Sequence, residues 1–233
     1  MNKRILIVPI ARISNTKRIE TSIAEDGTFN CIHAIEGIPL QQFENIYFVI
    51  TKKCIAHYKF DTDLFITQLA AFDVVNCTKS KLVILQNETC SQAETIVSAL
   101  IQLKIFENMS VLCKDGDSFF HINNESISGN KLMIYNVEDC DIVDPKHKSY
   151  VSVDMNNVVT NTIEKTIISK YFNCGGYFFS NVRDFIRAYE ELLVKYNESP
   201  RMSNIVQYLM LYKNKTFAAI KCDEYKDFNI NKQ

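Results

Sequence analysis

Apolar residues gather along this chain in short β-rich runs, with segments of helical period between them. Ile5 to Ile10, Ile46 to Ile50, Leu82 to Leu85 and Ser110 to Cys113 form the first set of strands. Between the first two, "FNCIHAIEGI" spaces Cys31, Ala34, Ile35 and Ile38 as one helical stripe, closed by Gly37-Ile38-Pro39. A later segment, "SQAETIVSALIQL", puts Ile96, Ala99, Leu100 and Leu103 on one face, with Ser91 as N-cap and Glu94 three residues on in the capping-box pattern. Alternation of this kind predicts parallel strands joined by crossover helices.

The pattern changes after Phe120. Lys131 to Tyr135 and Tyr150 to Val153 are further strands, and the alternating "NVVTNTIEKTI" suits two strands separated by a short polar turn. "YFNCGGYFF" follows. Two helices come next, Arg183 to Tyr196 with Phe185, Tyr189, Leu192 and Tyr196 in one stripe, and Met202 to Tyr212. The last strand, Thr216 to Ile220, runs into "KCDEYKDFNI". No linker, low-complexity tract or internal repeat divides residues 1–233, so a single domain is expected.

Composition narrows the chemistry. With 47% hydrophobic residues over 233, the chain can bury a sizeable core. The 26 basic and 27 acidic residues leave a net charge of −1, so no global field draws the protein to nucleic acid or to an anionic membrane. Phosphate chemistry, if present, must be local. No segment reaches the roughly 18 apolar residues needed to span a bilayer, and the apolar run after Arg4 is too short for a signal peptide. The 8 cysteines lack a CxxC pair and mostly sit in apolar runs, which suggests buried thiols in a reducing cytoplasm.

Several groups of residues have chemical potential. In "KDGD", Asp115 and Asp117 follow a strand, where open α/β sheets bind ligands, and magnesium commonly takes one or two protein carboxylates. Asp-Gly is equally a common turn dipeptide. In "NTIEKTIISKYFNCGGYFF", Lys165 beside Glu164 on a strand edge can aim its ammonium at a phosphate, and Gly175 and Gly176 allow close backbone approach to a ligand. The alternative there is a solvated ion pair and a glycine bulge. Gln92 opens a helix, where free N–H groups and its amide suit a nucleobase or phosphate, or simply a cap. Asp223, Glu224 and Asp227 form an acidic cluster near the C-terminus, a solvated tail or the source of a second metal carboxylate. GxSxG, HExxH, Walker A and GxGxxG motifs are absent, and the 4 histidines lack metal-ligand spacing, with His33 expected to be a partly buried, satisfied side chain.

In order, these segments resemble those of the sugar-phosphate nucleotidyltransferases, which make NDP-sugars from an NTP and a sugar 1-phosphate. "VPIA" resembles the opening strand, "EDGTFNCIHAIEGI" the first helix, "TCSQAET" the base-contacting segment, "KDGDSFF" the metal motif, "IEKTIISKYFNCGGYFF" the sugar-binding segment and "CDEYKDF" the closing metal segment. The resemblance implies a Rossmann-like three-layer α/β fold, that of the nucleotide-diphospho-sugar transferases, with a central mixed, mostly parallel sheet. It further implies Mg²⁺ on Asp117 and Asp227, with Asp223 as the competing register, and Asp115 as a helper near the nucleotide. Glu164 would hold sugar hydroxyls, Lys165 the sugar phosphate, Gly175 and Gly176 the sugar pocket, and Gln92 the base. Pro9 and Ala11 would border the nucleotide.

The chain departs from this family at the front. Its "ARISNTKRIETSIAEDG" has no glycine before Gly27, where the family wraps a triphosphate in glycine-rich backbone. Arg12, Lys17 and Arg18 can grip phosphate through side chains instead, or form a solvated basic loop. Expected partners are an NTP and a phosphorylated small-molecule acceptor, without nucleic acid or membrane, and with a homo-oligomer left open. The reaction implied is Mg²⁺-dependent NMP transfer for capsule or another surface polysaccharide. A binding module that has lost catalysis, and a glycosyltransferase using the Asp-Gly-Asp as a DxD-like element, are the alternatives.

Overall fold

The computed structural model describes residues 3–11, 13, 19–106, 109–123, 127–140 and 147–229. In chain order the first half comprises β1 (Lys3–Pro9), α1 (Asn30–His33), β2 (Asn45–Thr51), α2 (Lys52–Tyr58), α3 (Thr62–Asn76), β3 (Ser80–Leu85), α4 (Gln92–Gln102) and β4 (Met109–Lys114). It continues with β5 (Ser118–His121), β6 (Asn130–Asn136), β7 (Ser149–Val153), β8 (Val159–Glu164), β9 (Tyr171–Phe179), α5 (Val182–Tyr196), α6 (Met202–Lys213), β10 (Phe217–Lys221) and β11 (Glu224–Asp227).

The sheet runs β10-β6-β9-β4-β1-β2-β3, and β9 alone on this path opposes the other strands, so the sheet is mixed but mostly parallel. β7 pairs with β8 and joins β9 through Tyr150 and Phe172, while β11 and β5 form a separate antiparallel ribbon. Alternation along β1 explains the layers. Ile5 and Ile7 pack with Ile96 of α4, Phe185 of α5 and Leu209 of α6, whereas Leu6 and Val8 pack on the other face with Ile32 of α1 and Phe65 and Leu69 of α3. Helices therefore cover both faces of a buried sheet. Among the described residues no helix is long and apolar enough to cross a membrane.

Local chemistry sets the helix ends. Ser91 accepts the Glu94 N–H at 3.1 Å, as its spacing predicts, but the Glu94 carboxylate reaches back to the Cys90 N–H at 2.7 Å, one residue before the N-cap. Thr51 and Asp61 cap α2 and α3 in the same way, and left-handed Lys59 and Cys77 close them. The first helical stripe is shorter than expected, with α-helix only over Asn30–His33 and turns continuing to Ile38. Gly37 explains the change. A Cβ there would lie 2.2 Å from the Phe120 carbonyl oxygen, and the Gly37 carbonyl receives the Ile122 N–H at 3.0 Å, so this segment is pressed onto the end of β5. All 8 cysteines are free thiols. Those of Cys174 and Cys222 are buried 3.3 Å apart, whereas Cys77 and Cys90 are exposed.

Gly37→Ala is expected to cost about 2–3 kcal/mol in urea unfolding, because backbone on the far side cannot give way to the new methyl; an unchanged midpoint would contradict the packing. His33, between Asp26 at 3.0 Å and Glu36 at 3.1 Å, gives a pH signature. Burial disfavours its charged form, but the two carboxylates prevail and hold its pKa above the ordinary 6.5. The stabilisation is thus fully present below that value and is lost as the pH rises through the folded pKa. The urea midpoint difference between wild type and His33→Gln should therefore shrink from about pH 6 to about pH 8. A pH-independent difference would contradict the linkage.

Candidate functional site

The chain adds β2 and β3 on one side of β1 and then places β4 on the other, so the carboxyl ends of β1 and β4 flank the point where strand order reverses. Open α/β sheets bind ligands in the crevice at such a point. Pro9 ends β1, paired with Val49, and Ala11 lies just beyond, its carbonyl receiving the Cys54 thiol at 2.7 Å. A cleft of about 200 Å³ opens here among Ala11, Ile13, Glu88, Thr89 and Cys90, in front of the first turn of α4. Arg12, Lys17 and Arg18 lie outside the described residues.

Asp115, Gly116 and Asp117 turn the chain from β4 into β5, so the turn and the candidate site are the same residues. Lys114, before them, is fully buried. Its ammonium donates to the carbonyls of Asp115 and Ser118, both at 2.6 Å, and to Ser118 Oγ at 3.3 Å, and it lies 4.8 Å from the centre of the Phe120 ring. Burial lowers its pKa, so these acceptors compensate for lost water. Sequence reasoning passed over this residue; a lysine in an otherwise apolar strand was the available signal.

Asp115 is densely surrounded by protein, although part of its surface remains accessible. Its N–H donates to the Gly175 carbonyl at 2.8 Å, and its Oδ1 accepts the Gln92 side-chain amide. Desolvation, then the nearby Asp117 charge, push its pKa up to about 7, against the opposing pull of Lys114, Gln92 and Lys148. Gly175, with φ +93°, permits this approach: a Cβ would come within 2.9 Å of Asp115 Oδ2 and Ser118 Oγ. At Gly176 a Cβ would meet Phe120 and Met133 at 2.8–2.9 Å. The two glycines are buried against protein, and Asn173 ties their bulge through the Gly175 N–H at 2.8 Å and the Gly176 carbonyl at 3.0 Å.

The ribbon of β5 and β11 carries Asp227 to Asp117. Asp227 pairs with Ser118, and the Phe228 N–H donates to the Asp117 carbonyl at 3.0 Å. Asn229 Nδ2 then donates to both carboxylates, to Asp117 Oδ2 at 2.9 Å and Asp227 Oδ1 at 3.3 Å. Lys148 meets the other oxygen, Asp227 Oδ2, at 2.6 Å, and also donates to the Tyr225 hydroxyl. Burial alone would raise the Asp227 pKa, but Lys148 and Asn229 hold it below the usual value. Asp223, the competing register, sits at the opposite end of the ribbon with His121 Nδ1 at 3.5 Å. The acidic cluster is therefore a strand, not a loose tail, and Asp227 is the member beside Asp117.

Two carboxylates joined by one amide, at a strand's carboxyl end, form a hard oxygen donor set that suits a divalent cation such as magnesium. Among the described residues no group of three or more His, Cys, Asp or Glu comes together as a cage. A cation held by these two carboxylates would have to take its remaining ligands from phosphate and water.

Glu164 ends β8, where its carboxylate accepts from the Ser149 hydroxyl and from Ser203 Oγ at 3.1 Å, and pairs with Arg201 at 3.2 Å. Tyr177 is buried, and burial first, then the Asp115 and Glu164 charges, push its pKa up. Lys165 departs from the expected strand edge. β8 stops before it, and it occupies a turn with φ 58°, its N–H donating to the Lys148 carbonyl at 2.9 Å while its side chain is exposed. Lys148, which has no sequence motif around it, is the lysine that reaches Asp227 among the described residues.

No protein-family model matches the chain, and no curated protein matches it in sequence. Its structure does have counterparts. A nucleoside-diphosphate-sugar pyrophosphorylase from Vibrio cholerae RC9 superposes with a TM-score of 0.71 at 17% identity, over 93% of this chain and 91% of that one. The inositol-1-phosphate CTP transferase of T. maritima gives 0.69 at 13% identity, over 100% and 93%. A UDP-glucose pyrophosphorylase complexed with UDP-glucose gives 0.64 at 16% identity, over 98% and 94%. At these identities the likeness concerns architecture, and the chain has the α/β fold of the nucleotide-diphospho-sugar pyrophosphorylases and nucleotidyltransferases.

Proposed function

We propose that this protein is a nucleotidyltransferase that moves the NMP unit of an NTP onto a sugar phosphate or a related phosphorylated or phosphonylated small molecule, with release of pyrophosphate. The observation that carries this reading is the meeting of Asp117 and Asp227 through Asn229, beyond the carboxyl end of β4. By analogy with the family it resembles, the product would feed a capsule or another surface polysaccharide.

In this reading Asp117 and Asp227 hold Mg²⁺, which when bound neutralises charge on the transferring phosphoryl group. Gln92 gives its amide N–H to Asp115, leaving its carbonyl oxygen to a base in the cleft lined by Thr89 and Cys90. Glu164, held by Ser149, Ser203 and Arg201, accepts from sugar hydroxyls. Arg12, Lys17 and Arg18 take the triphosphate with side chains, in place of a glycine-rich loop. An acceptor phosphate oxygen attacks the α-phosphorus in line; the new P–O bond forms as the bond to pyrophosphate breaks. The nucleophile is already an anion, so no Ser, Cys or His base is needed, and the protein's task is positioning and charge stabilisation.

Incubation with each of the four common NTPs, Mg²⁺ and a panel of sugar 1-phosphates should give pyrophosphate only when an acceptor is present. Asp117→Asn should lower kcat by at least about 100-fold with the fold intact by circular dichroism. Full turnover in that variant would remove the metal assignment. Binding without turnover across the panel would favour a non-catalytic module, and transfer from an NDP-sugar without pyrophosphate would indicate a glycosyltransferase.

A further inference from the structure

We infer that Lys148 is the site's built-in cation: it neutralises Asp227 in the empty protein and is released onto a ligand phosphate when Asp117 and Asp227 take up a divalent ion. The inference rests on the two carboxylates being a metal site. Lys148 and Asp227 are close at 2.6 Å with side chains only 14% and 12% exposed, unlike the surface pairs of this protein, such as Lys3 with Glu44 at 66% and 43%. The ammonium also lies 5.6 Å from the centre of the Phe172 ring, and it donates to the Tyr225 hydroxyl, at the edge of that residue's ring. An aromatic ring, a hydroxyl and a carboxylate together fix a charge in place.

Two features direct that charge at the reaction. Lys148 at 2.6 Å and the Tyr225 hydroxyl at 3.2 Å donate to Asp227 Oδ2, while Asn229 donates to Oδ1 through its N–H and its side-chain amide, so a divalent ion that takes up Asp227 Oδ2 competes directly with the ammonium. Finally, Lys148 lies directly opposite Lys165, whose N–H it receives, yet only one of the two side chains turns inward. A displaced ammonium between a metal ion and two aromatic side chains finds its next partner in the phosphate that the metal carries. The β7–β8 pairing thus puts the inward lysine just before β7, opposite the position after β8 that the motif suggests.

The test uses Mn²⁺ alone, titrated into the full chain and followed by electron paramagnetic resonance. Lys148→Gln and Lys148→Met, each checked for folding by circular dichroism, should bind Mn²⁺ at least about tenfold more tightly than wild type, because a competing charge about 3–4 Å away has gone. Lys148→Arg should stay near wild type, and Lys165→Gln should change affinity less than about threefold, as an exposed charge does. In the pyrophosphate assay, Lys148→Gln should lower kcat/KM for the acceptor at least about tenfold at saturating Mg²⁺. Unchanged Mn²⁺ affinity in both Lys148 variants, or an equal gain in Lys165→Gln, overturns the inference. These outcomes are separate from failure of the transferase reading, which shows as wild-type protein that binds Mn²⁺ but releases no pyrophosphate.

Discussion

The antiparallel pairing of β5 with β11 is the constraint on which the candidate site depends. It joins a segment that leaves the centre of the sheet to one near the end of the chain, setting Asp227 opposite Ser118 and next to Asp117. A short two-stranded ribbon is marginal in water by itself. Here it is anchored from below by Lys114, whose buried ammonium ties the Asp115 and Ser118 carbonyls, and from the side by Gly37, which receives the Ile122 N–H. Phe120 at the ribbon's centre is wholly buried, so the ribbon also belongs to the core. Stability and chemistry therefore share atoms: what keeps the turn folded also sets the distance between the two carboxylates.

The same coupling runs through the glycine bulge of β9. Gly175 lets the backbone touch Asp115, Gly176 makes room for Phe120 and Met133, and Asn173 closes the loop between them. Burial first, and then the charge of Asp117, favour the neutral form of Asp115 up to about pH 7. Of the two aspartates in "KDGD", one is thus bound into the protein and the other is turned outward to the ribbon. That division of roles follows from burial, which the dipeptide spacing does not report.

Much of the architecture was legible because it rests on local periodicity. The parallel strands around β1 and the helices α4, α5 and α6 announce themselves through apolar spacing and, for α4, through its Ser91 cap. β5 and β11 did not, being four residues each with charged or polar positions facing out. Asp117, Asp227, Glu164 and Gln92 could be singled out by resemblance. Lys148 could not, because its role is created by a contact with a strand 79 residues away and by the aromatic side chains around it. The strand-edge placement of Lys165 failed for a related reason: strand alternation was extended one residue past the end of β8, into a left-handed turn.

With a net charge of −1 the chain has no strong global field, so the phosphate recognition proposed for it would have to be local. Crystals grown with Mn²⁺ and a non-hydrolysable NTP analogue test this account most directly, through the anomalous scattering of the metal. The account predicts a Mn²⁺ peak at about 2.1–2.2 Å from oxygens of both Asp117 and Asp227, with the α-phosphate of the analogue completing its ligands. A peak coordinated elsewhere, or analogue bound with both carboxylates still held only by Asn229 and Lys148, would contradict it.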